Sequence, residues 1–197
     1  IGIVGEIYAK YNGFCNQNTV EWLAQRGVEV EVPCLMNFFT QGLVNYGVDM
    51  EKHIEKRSLF LHLVRYFHKK LIRFFGRVDS VLEQYRYFHP FPLIGDIAKQ
   101  AERVVDLAAQ FGEGWLIPGE IMNMAERGVE NVLCLQPFGC IANQVIAKGI
   151  EKRMKDLYPN LNILFVDLDP NTSEANMFNR LHFLVQSARV SMELSRH

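Results

Sequence analysis

The sequence predicts an α/β protein with a small, mostly parallel sheet of about four strands, helices on both faces, and a helical insertion. Three observations carry this. Short apolar runs of strand type recur at Ile1–Tyr8, Val28–Val32, Asn131–Leu135 and Asn162–Val166. Segments of helical periodicity separate them, as in a sheet built from strand–helix–strand crossovers. Turn residues punctuate the joins: Gly27, Pro33, Gly128, Pro137-Phe-Gly139 and Pro159-Asn160.

In order along the chain, Ile1–Tyr8 reads as a buried parallel strand, with Gly5-Glu6 near its end and a polar loop over Lys10–Cys15. Asn18 or Thr19 caps a helix over Val20–Arg26, with Glu21 in its first turn. Gly27 stops that helix, and Val28–Val32 is the second strand, ended by Pro33-Cys34. Leu35–Tyr46 is expected to be helical and closed by Gly47. From Met50 to about Arg77 the pattern is strongly helical, continued over Val81–Tyr87 and ended by His89-Pro90-Phe91-Pro92. The insertion is therefore set at 50–92, inside a single domain of 1–197.

Between Glu51 and Arg77 stand eight Lys or Arg (52, 56, 57, 65, 69, 70, 73, 77) against Glu51 and Glu55. One reading is a cationic surface for CoA phosphates or an acidic partner. The favoured one is an amphipathic lid whose basic residues form its solvated face. Ile94–Ala109 reads as an amphipathic helix, Gly112–Trp115 as a turn, and Pro118 as first-turn residue of a helix over Gly119–Arg127. After Cys140 one helix is expected to run to about Leu157. A last helix follows Thr172 or Ser173, with Phe178, Leu181, Leu184 and Val185 as its apolar stripe.

Composition limits the function classes. The chain has 197 residues, 49% hydrophobic and 22% charged, as in an ordinary globular protein. A net charge of −1 gives no general attraction to nucleic acid or anionic membranes, and neither is expected as a partner. Leu59–Phe75 is the run nearest to a membrane span, and Arg65, Lys69, Lys70 and Arg73 interrupt it. Ile1–Tyr8 does not read as a secretory signal, because it is short and turns polar at Glu6. Four cysteines are too few for a disulfide framework, so a reducing cytoplasm is the expected compartment. A chain that opens at Ile, directly on a strand, is expected to be a domain of a larger protein.

The most site-like stretch is Asn131–Gln144, NVLCLQPFGCIANQ. A strand broken by Pro-Phe-Gly delivers Cys140 to the start of a helix, at the edge where parallel sheets bind ligands. The helix dipole there favours a thiolate, the metal-binding form. The alternative is that Cys140 is a small buried residue. Cys15, Cys34 and Cys140 all follow or end an expected strand, so parallel neighbouring strands would bring them to one crevice. Cys134 lies inside its strand and reads as core. Converging thiolates suit an iron–sulfur cluster, although the spacings are not those of a ferredoxin. Polar groups at the same edge are Glu6, Tyr8, Asn12, Asn143, Asp167 and Asp169. Their other reading is that they cap loop backbone. GxGxxG, a P-loop, HExxH and a Ser/His/Asp set are all absent.

QPFGC at 136–140 with Asn143 three residues on, then AKG, LYPNLNI, VDLDP and SEANMFNRL, resembles the C-terminal region of the large activase-related proteins of the 2-hydroxyacyl-CoA dehydratase system. GEIYAKYNGFCNQNTVEWL at 5–23 and GEGW at 112–115 extend the resemblance over nearly the whole chain. It implies a Rossmann-like three-layer lobe and a module serving iron–sulfur-dependent, low-potential electron transfer. Cys140 is then a ligand of a four-iron four-sulfur (4Fe-4S) cluster, with Pro137, Phe138 and Gly139 shaping its loop. The resemblance does not extend ligand roles to Cys15 or Cys34. Partners implied are the remaining domains of the parent protein and a dehydratase or activase subunit. ATP hydrolysis belongs to a different domain of that family. The other readings are a docking module joining an activase domain to its dehydratase, and a small-molecule-binding α/β domain.

Overall fold

The structure is a computed structural model and describes residues 1–54, 60–86, 88–169 and 173–194. Three strands, β1 (Gly2–Gly5), β2 (Asn131–Pro137) and β3 (Asn162–Leu168), form a parallel sheet in the order β1-β2-β3. Gly5 stands opposite Leu135, and Pro137 opposite Leu168. The carboxyl ends of the three strands therefore share one edge.

β2 is central, and side-chain alternation sends its residues into two cores. Val132 and Cys134 join Val4, Ile163 and Phe165 in one cluster. Helix α6 (Leu116–Glu126), a π-helical segment (Ala142–Ala147) and α7 (Glu151–Leu157) complete it through Ile121, Ala142 and Met154. Leu133 and Leu135 join Ile3 and Val166 in the other, closed by α2 (Thr19–Ala24) and α8 (Glu174–Leu194) through Leu23, Leu181 and Leu184. A near-continuous apolar strand is what burial on two faces requires. A third cluster lies between α3 (Met36–Glu51), α5 (Ile94–Glu102) and Trp115, whose indole N–H donates to Asn45 Oδ1 at 2.7 Å.

The expected second strand is not one. Val28–Val32 is reduced to a single parallel bridge, Glu31 to Gly2, on the outer edge of β1. Ile3 N donates to Glu31 O at 2.8 Å and Glu31 N to Ile1 O at 3.0 Å. Pairing stops there, since Pro33 has no N–H to continue a ladder, and Glu29 and Glu31 give this edge a charged face.

The expected first strand, Ile1–Tyr8, ends at Gly5, where the chain turns into a short helix over Ile7–Tyr11, and helix boundaries differ from expectation elsewhere too. α3 runs through Gly47 to Glu51. α5 ends at Glu102, and the carboxylate of Asp106 accepts from Ala108 N at 2.8 Å in a turn that replaces the expected continuation. The helix after Cys140 is broken: the π-helical segment passes through turn residues 148–150 before α7 begins. In the 50–92 segment, α4 spans Phe60–Leu82 and packs on α3, and His89–Pro92 lies outside any helix or strand. Expectations that fall on Glu55, Lys56, Arg57, Tyr87, Pro170 and Thr172 lie outside the described residues. Among the described residues, no helix is long and apolar enough to cross a membrane.

Candidate functional site

The carboxyl edge of the sheet carries two polar arrangements, one after β1 and one between β2 and β3. After β1 the chain must turn beside the backbone of β2. Gly5 has φ +126°, and a Cβ built on it would lie 1.9 Å from Leu135 O, so only glycine fits. Glu6 N donates back to Leu135 O at 3.0 Å, and the short helix α1 (Ile7–Tyr11) starts at once.

Two carboxylates serve the first amides of α1. Glu6 Oε2 accepts from Ala9 N at 2.8 Å, and Glu113 Oε1, from the Gly112–Trp115 turn, accepts from Ile7 N at 2.9 Å. One turn on, Lys10 Nζ reaches Glu120 Oε2 of α6 at 2.9 Å, and both side chains are almost wholly buried. Burial pushes the Glu120 carboxyl above its ordinary range, and the Lys10 ammonium opposes that rise. Asn16, also buried, donates from Nδ2 to the carbonyls of Ala9 and Lys10, and its own side-chain oxygen accepts from Thr19 N. It therefore does the capping expected of Asn18 or Thr19; Asn18 sits in the left-handed region and makes no cap bond.

The second arrangement surrounds Cys140. The buried amide of Asn143 lies between two sulfurs. Its Nδ2 donates to Cys140 Sγ at 3.1 Å, and its Oδ1 accepts from Cys134 Sγ at 3.7 Å. Burial pushes the Cys134 thiol far up, so it stays protonated and suits the donor role. Across the strand end, Asp167 Oδ1 accepts from Gln136 Nε2 at 2.6 Å and from Gln144 Nε2. Asp167 is thus held by two neutral amides and bridges β3 to the segment carrying Cys140.

The sequence-predicted residues divide between these arrangements. Glu6 caps α1. Asn12 Oδ1 accepts from Cys15 N at 3.1 Å and shapes the loop. Tyr8 is exposed. Pro137 ends β2, Gly139 turns with φ +78°, and Phe138 stands 77% exposed beside them. Asn143 and Asp167 act as described, and Asp169 lies just beyond β3.

The cysteines separate. Cys140 packs against the core that contains Cys134, whereas Cys15 packs against the core on the other side of the sheet. Burial, then the charge of Glu6, raises the Cys15 thiol. Cys34 lines a cavity with Asn37 and Glu120. Among the described residues, no three metal-ligating side chains come together. A thiolate-held cluster needs such a set. Among the described residues, the cysteines therefore do not assemble such a set by themselves.

Sequence reasoning missed Lys10, Glu113 and Glu120. The signal was available for Glu120, a lone acid in the apolar run LIPGEIMNMA, because a carboxylate so placed needs a buried cation. Lys10 gave no such signal in a loop-like stretch. A scan of protein-family models, a search of curated proteins and a search of solved structures each return no match to this chain.

Proposed function

We propose that this chain is a Rossmann-like module of a 2-hydroxyacyl-CoA dehydratase or activase-type protein that serves iron–sulfur-dependent, low-potential electron transfer. In this reading it contributes Cys140 to a cluster site completed by another domain or subunit, in a reducing cytoplasm. The observation that carries it is the Asn143 N–H donated to Cys140 Sγ at 3.1 Å. A hydrogen bond to sulfur, from an amide fixed in a buried position, orients that sulfur and holds it in place. Partial exposure beside the protruding Phe138 leaves the thiol reachable from a partner. A 4Fe-4S cluster, when bound, supplies a one-electron carrier whose potential depends on hydrogen bonds to its sulfurs. The chain's own part is to place one sulfur and hold it.

A second reading has its own observation. α4 presents exposed Leu63, Tyr66, Phe67 and Phe74, and its sequence carries Lys69, Lys70, Arg73 and Arg77. That combination suits docking on an acidic partner, such as a dehydratase or activase subunit, with no cofactor in this chain.

Anaerobic reconstitution with iron and sulfide separates the two, read by iron and sulfide analysis and by EPR. It is run on this chain alone and on the full-length protein that carries it. The expected result is a cluster in the full-length protein that is lost or spectroscopically altered in Cys140→Ser. An unchanged cluster in Cys140→Ser, or none in the folded full-length protein with its partner subunit present, overturns the electron-transfer reading and leaves the docking one.

A further inference from the structure

The segment Glu29–Cys34 runs along the outer edge of β1, and an extended backbone turns alternate residues to opposite sides. Glu31 faces β1: its N–H donates to Ile1 O at 3.0 Å and its carbonyl accepts from Ile3 N at 2.8 Å. The Glu29 carbonyl faces the same way and accepts from Ile1 N at 2.7 Å. The N–H and C=O groups of Val30 and Val32 therefore point away from the sheet. Among the described residues, neither backbone makes a hydrogen bond.

The free edge is short and has defined ends. Val28 N is taken by Leu23 O at 3.2 Å, and Cys34 O by Asn37 N at 2.9 Å. Between them, Val30 and Val32 offer two donors and two acceptors, with the residues about 7 Å apart along the strand. A single amide does not bridge that distance, whereas an extended chain repeats with it.

Val30 and Val32 also line a cavity of about 750 Å3. Its walls come from Met124 of α6, Ile97 of α5 and the His89–Pro92 stretch, and they are largely apolar. Neither Cys140 nor any residue of α4 lines it. An unpaired strand edge is a template for another strand, and here the adjoining space already has an apolar wall. Charge narrows the occupant. Glu31 is paired with Arg127, while Glu29 is exposed and makes no ion pair with a side chain among the described residues. A basic residue on the incoming chain meets Glu29, and an acidic one is repelled.

We propose that this edge binds an extended peptide of a partner protein, added as a further strand outside Glu29–Cys34. Its backbone pairs with Val30 and Val32. Its side chains on the α6 face are apolar against Phe91 and Met124, with a basic residue at Glu29. The assignment is independent of any role for Cys140.

The probe is the peptide acetyl-Lys-Thr-Ile-Thr-Ile-Thr-Lys-amide, titrated into the protein and followed by NMR. It should bind saturably and protect the Val30 and Val32 amides from hydrogen exchange. The same peptide with glutamate in place of lysine should bind about tenfold more weakly, and Glu29→Lys should reverse that order. N-methylation of the threonine amides, or separately of the other amides, should abolish binding in one case only, because an added strand turns alternate amides to the edge. Val32→Pro, which removes one outward N–H, should weaken binding about tenfold in a protein of native circular dichroism. The proposal is overturned if the lysine peptide does not bind the folded protein, if the glutamate peptide binds as well, or if both methylated forms bind alike. Protection of Val30 and Val32 that rises with protein concentration and needs no peptide would put a second copy on the edge, and overturns the peptide assignment.

Discussion

Lys10 Nζ sits 2.9 Å from Glu120 Oε2, with each side chain almost completely shut from solvent. The pair joins the turn after β1 to α6 across 110 residues of sequence. A buried pair contributes little over an apolar substitute, but breaking it by removing one member is costly. Lys10→Met should therefore lower stability by about 3 kcal/mol in urea unfolding. Lys10→Met with Glu120→Met should recover much of that loss. A double variant as unstable as the single would show that the pair is not what the single substitution disturbs.

The same pair sets a pH dependence. Burial raises the Glu120 carboxyl from its ordinary 4.5, and Lys10 holds the rise in check. An acid whose folded value is raised gives stability that is present at low pH and lost as pH rises through that value. Wild-type stability should carry such a falling component above 4.5. Lys10→Met should extend it to higher pH, because the lone carboxylate is then harder to ionise, and Glu120→Gln should remove it. Unfolding midpoints from mildly acidic to mildly alkaline pH test this, and a decline ending at the same pH in wild type and Lys10→Met would contradict it.

Asn143 spans two sulfurs that no other described side chain joins. Asn143→Leu keeps the branched shape but strips both hydrogen bonds, leaving the buried Cys134 thiol without its acceptor. A loss of about 1–3 kcal/mol is expected in chemical denaturation. Cys134→Ala in the same background should then cost less than it does in the wild type, since the thiol no longer has a bond to lose. Equal costs in the two backgrounds would mean that the 3.7 Å contact contributes nothing.

Two glycines at the sheet edge should respond differently. Gly5→Ala drives a methyl into Leu135 O and asks alanine to hold φ +126°, so the variant should fail to fold or lose most of its stability. Gly139, at φ +78°, has open space around it, and only backbone strain opposes substitution. Gly139→Asn should cost about 1 kcal/mol or less, because asparagine tolerates that region. Thermal unfolding of the two variants side by side checks the contrast.

The central strands were legible in sequence because burial on both faces writes itself as an unbroken apolar run. Asn131–Leu135 and Asn162–Val166 were placed correctly and only lengthened by two residues each. Val28–Val32 has the same local signal, yet its pairing depends on how much of β1 is free to receive it, which is not a local property. Cys15 and Cys140 were expected at one crevice because each follows a strand. A strand end, however, can release the chain toward either core, and here the two cysteines take opposite ones. Glu6 caps Ala9 locally, but the carboxylate on the neighbouring amide of Ile7 comes from Glu113, more than a hundred residues later. Polar partnerships of that span leave no periodicity to read.

β2 and β3 are linked through 24 residues, 138–161, whereas β1 pairs with β2 across a gap from Gly5 to Asn131. The order of assembly follows. The stretch from β2 to β3 closes a short loop and is able to form early, while β1 must wait for an encounter over most of the chain's length. Glu120 and Gly5 act on that late step, one as the partner of Lys10 and the other as the gap that admits Leu135 O. Substitutions there should slow the final docking of the amino-terminal strand and leave the earlier-formed half intact.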